Sequence, residues 1–124
     1  MLKLAPLLGT VALVGVIVQV ILGLEITGAD LDTLTMPHAL IGVLGFVLIV
    51  VLAITAFRAK TSTLYSKLII TILTVLVLLQ VSLGWQLLQG SDAMIMSHEA
   101  NGFLILILTL AMGAVTMQNA RKRP

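Results

Sequence analysis

Long apolar stretches and short polar connections alternate along the chain. Four stretches carry no charged residue: Leu4 to Leu24, Ala39 to Phe57, Leu68 to Leu88 and Ala100 to Gln118. Each is close to the roughly 20 residues that an α-helix needs to cross about 30 Å of hydrocarbon. Their apolar residues run continuously instead of alternating, which favours helices over the strands of a membrane barrel. The pattern predicts an all-α membrane protein, a bundle of four transmembrane helices forming one domain over residues 1–124.

The connections between these helices are short. They run from Glu25 to Pro37, from Arg58 to Lys67 and from Gln89 to Glu99. Because so few residues remain outside the bilayer, no separate aqueous domain is expected. The loops and the helix ends are therefore the regions in which functional residues are expected.

The sequence repeats itself after about 60 residues. Residues 19–23, Gln-Val-Ile-Leu-Gly, recur as residues 80–84, Gln-Val-Ser-Leu-Gly, and His38 with Gly42 recurs as His98 with Gly102. Each copy crosses the membrane twice, so both copies have the same orientation. We predict two tandem two-helix repeats, about 1–60 and 61–124, related by a pseudo-two-fold axis along the membrane normal. This symmetry would place the two histidines opposite each other near one membrane surface.

Composition supports a membrane location, since 60% of the residues are hydrophobic and 10% are charged. A soluble domain has about 25% charged residues. The lipid bilayer is thus the first predicted partner. The absence of cysteine excludes disulfides, thiolate nucleophiles, iron–sulfur clusters and cysteine zinc sites.

The charges predict the orientation. All seven basic residues fall on one side of an up-and-down bundle, together with both termini, and the positive-inside rule makes that side cytoplasmic. All five acids lie on or next to the two opposite loops, at Glu25, Asp30, Asp32, Asp92 and Glu99. We therefore predict a protein of the cytoplasmic membrane with acidic loops outside. Topology explains the basic side, so nucleic acid is not expected as a partner.

The histidine pair is the main candidate for chemistry. Two imidazoles facing each other suit a flat metallocycle bound from both faces, and four-helix bundles build such sites from facing helices. Each histidine is followed at i+4 by a glycine one turn deeper, Gly42 or Gly102, against which a planar ring could lie. We predict one heme, heme b or a related heme O or A, held by His38 and His98. The alternative for the glycines is close packing between helices.

Other residues near the histidines suggest either a different metal ligand set or a structural role beside the heme. Met36, Met94 and Met96 precede the histidines, and thioether sulfur with imidazole would favour Cu(I) instead of heme. Asn101 is among the polar side chains expected near the heme carboxylates. Gln19 and Gln80 are expected to form an interhelical hydrogen bond that fixes helix register.

These residues resemble a known family. A histidine followed at i+4 by glycine at the outer start of an even-numbered helix, after a helix ending in Gln-Val-x-Leu-Gly, looks like one four-helix half of heme A synthase. The resemblance extends over nearly the whole chain and is best at Leu76 to Gln86 and His98 to Leu110. It implies a membrane oxidoreductase that oxidises heme O to heme A, with His38 and His98 as axial ligands of one heme.

The family pattern is incomplete here, which leaves other functions open. The family places a glutamate one turn before the histidine of helix two, where this chain has Leu34 and Thr35, so Glu25 and Glu99 are the nearest candidates for a catalytic role. A b-type cytochrome for transmembrane or quinol-linked electron transfer is the alternative. The third hypothesis is a cofactor-free accessory subunit of a respiratory complex. The sequence leaves open whether the chain forms a homo-oligomer.

Overall fold

The computed structural model describes residues 4–26, 31–60 and 62–121. These residues form four long helices, α1 (Leu4–Ile26), α2 (Leu31–Arg58), α3 (Leu64–Leu88) and α4 (Ile95–Arg121), with a 3-10 turn at Asp92–Met94 directly before α4. All four helices are long and apolar enough to cross a membrane. The prediction of an all-helical chain with four long apolar helices is confirmed. Asp30, which was assigned to the acidic side, lies outside the described residues.

The predicted loop from Glu25 to Pro37 is largely wrong, because α2 begins at Leu31. The sequence predicts Pro37 in the first turn of this helix, yet the polar residues before it, such as Thr33 and Thr35, are also compatible with a helix. Pro37 lies inside α2 and lacks the N–H that would bond the carbonyl of Thr33. His38 is consequently about two turns inside its helix.

The loop between α3 and α4 is also shorter than predicted. It had been placed from Gln89 to Glu99, but α4 begins at Ile95 and includes His98 in its first turn. The 3-10 turn at Asp92–Met94 fills much of the remaining connection.

The helices form a closed ring in the order α1, α2, α3, α4. Each packs against its two neighbours, and α1 closes the ring by packing against α4. The diagonal pairs α1 with α3 and α2 with α4 make no close main-chain contacts in the described part of the chain. Side chains from α2, α3 and α4 fill the centre: Ile49, Ile70, Leu73 and Ile105. Large apolar side chains on the outer faces are exposed, as expected for a bundle surrounded by lipid.

Hydroxyl groups within the apolar helices are satisfied locally. Thr74 donates to the carbonyl of Ile70, and Thr109, which is buried, donates to that of Ile105, both at 2.7 Å. Such bonds let a polar side chain remain in an apolar bundle, because each uses a carbonyl one turn earlier in the same helix.

Both ends of α3 are capped. Thr63 precedes the helix, and its hydroxyl accepts a hydrogen bond from the main-chain N–H of Ser66 at 3.1 Å. At the other end the N–H of Ser91 bonds the carbonyl of Gln86, and that of Gly90 bonds Leu87. Gly90 has a φ of 86°, the left-handed conformation that completes this Schellman motif.

Gly90→Ala should lower the free energy of unfolding by about 1 kcal/mol, since a Cβ is unfavourable in the left-handed conformation. Gly113→Ala is the matched control, because a Cβ there would meet nothing within 4 Å. Thermal unfolding in detergent, followed by circular dichroism, measures both variants. Equal stability of the two would contradict the role assigned to Gly90.

Candidate functional site, the paired histidines

The structure brings His38 and His98 together in the bundle. Their helices, α2 and α4, are diagonally opposed, and the ring centroids lie 5.9 Å apart with 63° between the ring planes. Both residues are partly buried. The site therefore lies between the helices, with one imidazole from each helix pair.

Each imidazole lies against a glycine of the preceding helix. A Cβ added to Gly23 would lie 3.3 Å from Cε1 of His38, and one added to Gly84 would lie 3.2 Å from Cε1 of His98. Those distances are tighter than most real Cβ contacts, so a glycine at each place allows the ring to approach the helix main chain. The sequence had marked Gly23 and Gly84 as members of the repeat, but had not identified their histidine partners.

The reciprocal contacts involve the other two glycines. A Cβ at Gly42 would lie 2.8 Å from Nε2 of Gln19, and one at Gly102 would lie 3.2 Å from Nε2 of Gln80. The space in which a heme ring had been expected is thus filled by glutamine amides. Within each helix pair, an imidazole packs against a glycine of one helix, and a glutamine amide packs against a glycine of the other.

A chain of hydrogen bonds connects His98 to the main chain of α3. Nδ2 of Asn101 donates to the carbonyl of Leu76 at 2.9 Å and to Oε1 of Gln80 at 2.7 Å. Nε2 of Gln80 lies 3.2 Å from Nε2 of His98. Asn101, which had been expected near heme carboxylates, is instead buried in this network.

Three buried polar atoms have no hydrogen-bond partner among the described residues. They are Nδ1 of His38, Nδ1 of His98 and Oε1 of Gln19. An unpartnered buried polar atom is uncommon, and three of them at one place mark it as a functional candidate.

The remaining candidates lie outside this cluster. Glu25 and Glu99, proposed as catalytic carboxylates, are both exposed. Met36 and Met96 are 68% and 81% exposed, and Met94 is half-buried; the exposure of the first two does not favour the rival copper site. Among the described residues there is no group of three histidine or carboxylate side chains that could hold a metal ion.

Comparison with family models, with curated proteins and with solved structures finds no match for this chain. The resemblance to heme A synthase therefore stays a prediction.

Gly23→Ala and Gly84→Ala should each lower stability by about 1 to 3 kcal/mol, because the new methyl group overpacks the imidazole. Gly42→Ala should cost less, because the amide of Gln19 ends a flexible side chain and can turn away. Thermal unfolding in detergent measures all three variants.

Gly45→Ala is the control for these variants, since a Cβ at Gly45 meets nothing within 4 Å. It should be neutral or slightly stabilising, because alanine is a better helix former than glycine. If Gly23→Ala and Gly84→Ala behaved like this control, the glycine contacts would not hold the histidines in place.

Proposed function

We propose that the chain is an integral membrane protein that binds one heme between His38 and His98. The observation that carries the proposal is the 5.9 Å separation of two imidazoles on diagonally opposed helices. Two imidazoles bound to opposite sides of one metal have centroids about 6 Å apart when each metal–nitrogen distance is about 2 Å. The pair suits this group in the type of donor and in the separation, and the amides of Gln19 and Gln80 would have to turn away for the ring to enter.

The surroundings of the rings also fit. Nδ1 of each ring is buried and has no hydrogen-bond partner among the described residues, which leaves Nε2 as the nitrogen for a metal. Nδ1 lies close to a glycine of the neighbouring helix, 3.9 Å from a Cβ at Gly23 and 3.7 Å from one at Gly84. His38 and His98 would then hold the heme through Nε2.

The membrane arrangement is part of the same proposal. Four helices of sufficient length and apolar character, with exposed apolar outer faces, support a bilayer location. The matching contacts of His38 with Gly23 and of His98 with Gly84 support two tandem repeats. With the basic residues on the cytoplasmic side, the histidines lie toward the outer surface.

Electron transfer is the function that this arrangement favours. A heme held by His38 and His98 would supply reversible one-electron oxidation and reduction. Conversion of heme O to heme A would in addition need an acid–base group beside the reacting methyl group. The exposure of Glu25 and Glu99 argues against that role. We therefore favour a b-type cytochrome that exchanges electrons with a membrane quinol or a respiratory complex.

Purified protein expressed with ample heme should show the absorption spectrum of a low-spin, two-imidazole heme. His38→Ala and His98→Ala should each abolish it or convert it to high spin, because one axial ligand is lost. Absorption spectroscopy with pyridine hemochrome analysis measures the type and amount of heme.

Met36→Ala is the control for these variants, because Met36 precedes the histidine on the same helix and is exposed. It should retain the full spectrum. A colourless wild-type protein would refute the heme proposal, and an unchanged spectrum in both histidine variants would refute the ligand assignment.

Co-expression with a heme O synthase distinguishes an electron carrier from a heme-modifying enzyme. We expect the extracted hemes, separated by chromatography, to contain only hemes B and O. Appearance of heme A or its alcohol intermediate would contradict the electron-transfer function. Loss of that product in Glu25→Gln or Glu99→Gln would then identify the catalytic carboxylate.

A further inference from the structure

The two helix pairs differ at one position beside the histidines. Three residues after His98, α4 carries Asn101, whereas three residues after His38, α2 carries Ile41. Asn101 is buried, with 7% of its surface exposed. The C-terminal pair therefore contains an internal hydrogen-bond donor at a position where the N-terminal pair has an aliphatic side chain.

The hydrogen bonds of Asn101 can run in only one direction. The carbonyl of Leu76 can only accept, so the Asn101 atom that faces it at 2.9 Å is the Nδ2 amide nitrogen. The same Nδ2 lies 2.7 Å from Gln80, which must present its Oε1 to accept the second hydrogen. Gln80 is then left with Nε2, a donor, facing the histidine.

This direction determines where the His98 ring carries its hydrogen. Nε2 of His98 lies 3.2 Å from Nε2 of Gln80 and must accept from it. Only a neutral ring with a lone pair on Nε2 and its hydrogen on Nδ1 can do so. The main-chain carbonyl of Leu76 thus sets the tautomer of His98 through two amide side chains.

The N-terminal pair lacks such a determinant. The amide of Gln19 lies against Gly42 as that of Gln80 lies against Gly102, so the two arrangements are alike in space. Oε1 of Gln19, however, is buried without a hydrogen-bond partner, and the side chain of Ile41 cannot donate to it. Rotating the Gln19 amide so that Oε1 and Nε2 exchange places would break no hydrogen bond at Oε1. The orientation of this amide is therefore not fixed.

We propose that Asn101 is a positioning residue that acts through Gln80 to hold His98 with its lone pair on Nε2, while the tautomer of His38 is left free. This inference rests on the proposed heme site for its functional meaning. His98 is then preset as a ligand, and binding has to turn away the Gln80 amide, which occupies the same lone pair. His38 is the adaptable second ligand.

The test is made on heme-free protein labelled with ¹⁵N in its histidine rings, in detergent or nanodiscs. Long-range ¹H–¹⁵N spectra report which ring nitrogen carries the hydrogen, and a His38→Ala sample assigns the two sets of signals. Wild-type His98 should be a single tautomer with hydrogen on Nδ1, and His38 should be a mixture.

Two substitutions at Asn101 should change His98 in different ways. Asn101→Ile copies the N-terminal pair and should turn the single His98 tautomer into a mixture. Asn101→Asp keeps the size but accepts in place of donating, so Nε2 of Gln80 should turn to the carboxylate and Oε1 to the ring. The hydrogen of His98 should then move from Nδ1 to Nε2.

Ile41→Asn tests the same idea in the opposite direction, because it adds a hydrogen-bond donor to the N-terminal pair. The substitution removes no buried hydrogen bond. It supplies the missing donor to Oε1 of Gln19, so His38 should change from a mixture to the single tautomer with hydrogen on Nδ1. The His98 signals should stay as in wild type and serve as the internal control for folding.

The positioning role is overturned if His98 keeps its hydrogen on Nδ1 in both Asn101→Ile and Asn101→Asp. Because these spectra need no heme, they are independent of the proposed function. A protein that binds no heme but shows the predicted tautomer changes refutes the heme site alone. A protein with the two-imidazole spectrum but unchanged tautomers refutes the role of Asn101 alone.

Discussion

Close approach of helices at four glycines is the constraint on which the site depends. Gly23 and Gly84 make room for an imidazole, and Gly42 and Gly102 make room for an amide. Without a driving force for apolar contact between helices in lipid, small residues and polar contacts are what bring membrane helices together. Each glycine therefore serves helix packing and, at the same time, directs a polar side chain into the bundle.

Polar groups placed in an apolar bundle are costly unless they find hydrogen-bond partners. The C-terminal pair provides partners for Asn101 and Gln80 through a chain that ends at the Leu76 carbonyl, while Nδ1 of His98 stays unpartnered. The N-terminal pair leaves Oε1 of Gln19 unpartnered as well. Two helix pairs with the same shape thus present two imidazoles that differ in hydrogen bonding.

This combination bears directly on the proposed electron transfer. Similar shape places both rings at a separation suited to one metal between them, while unequal hydrogen bonding gives the two ligands different freedom to adjust. Glu25 and Glu99 are exposed, which argues against an acid–base role for either carboxylate between the rings.

The sequence by itself determined the four long helices, because charge-free apolar stretches of that length are typical of helices that can cross a membrane. The recurrence of His38 with Gly42 as His98 with Gly102 singled out the two histidines as a pair. The sequence missed the start of α2, since the polar residues after Leu31 are compatible with a helix. It did not reveal the neighbours of Gly42 and Gly102 or the burial of Asn101. Spacing along a helix determines which residues share a face. The way in which two helices cross determines which residues of the neighbouring helix that face contacts. Only the tertiary structure could therefore show that glutamine amides fill the glycine positions and that one asparagine distinguishes the two histidines.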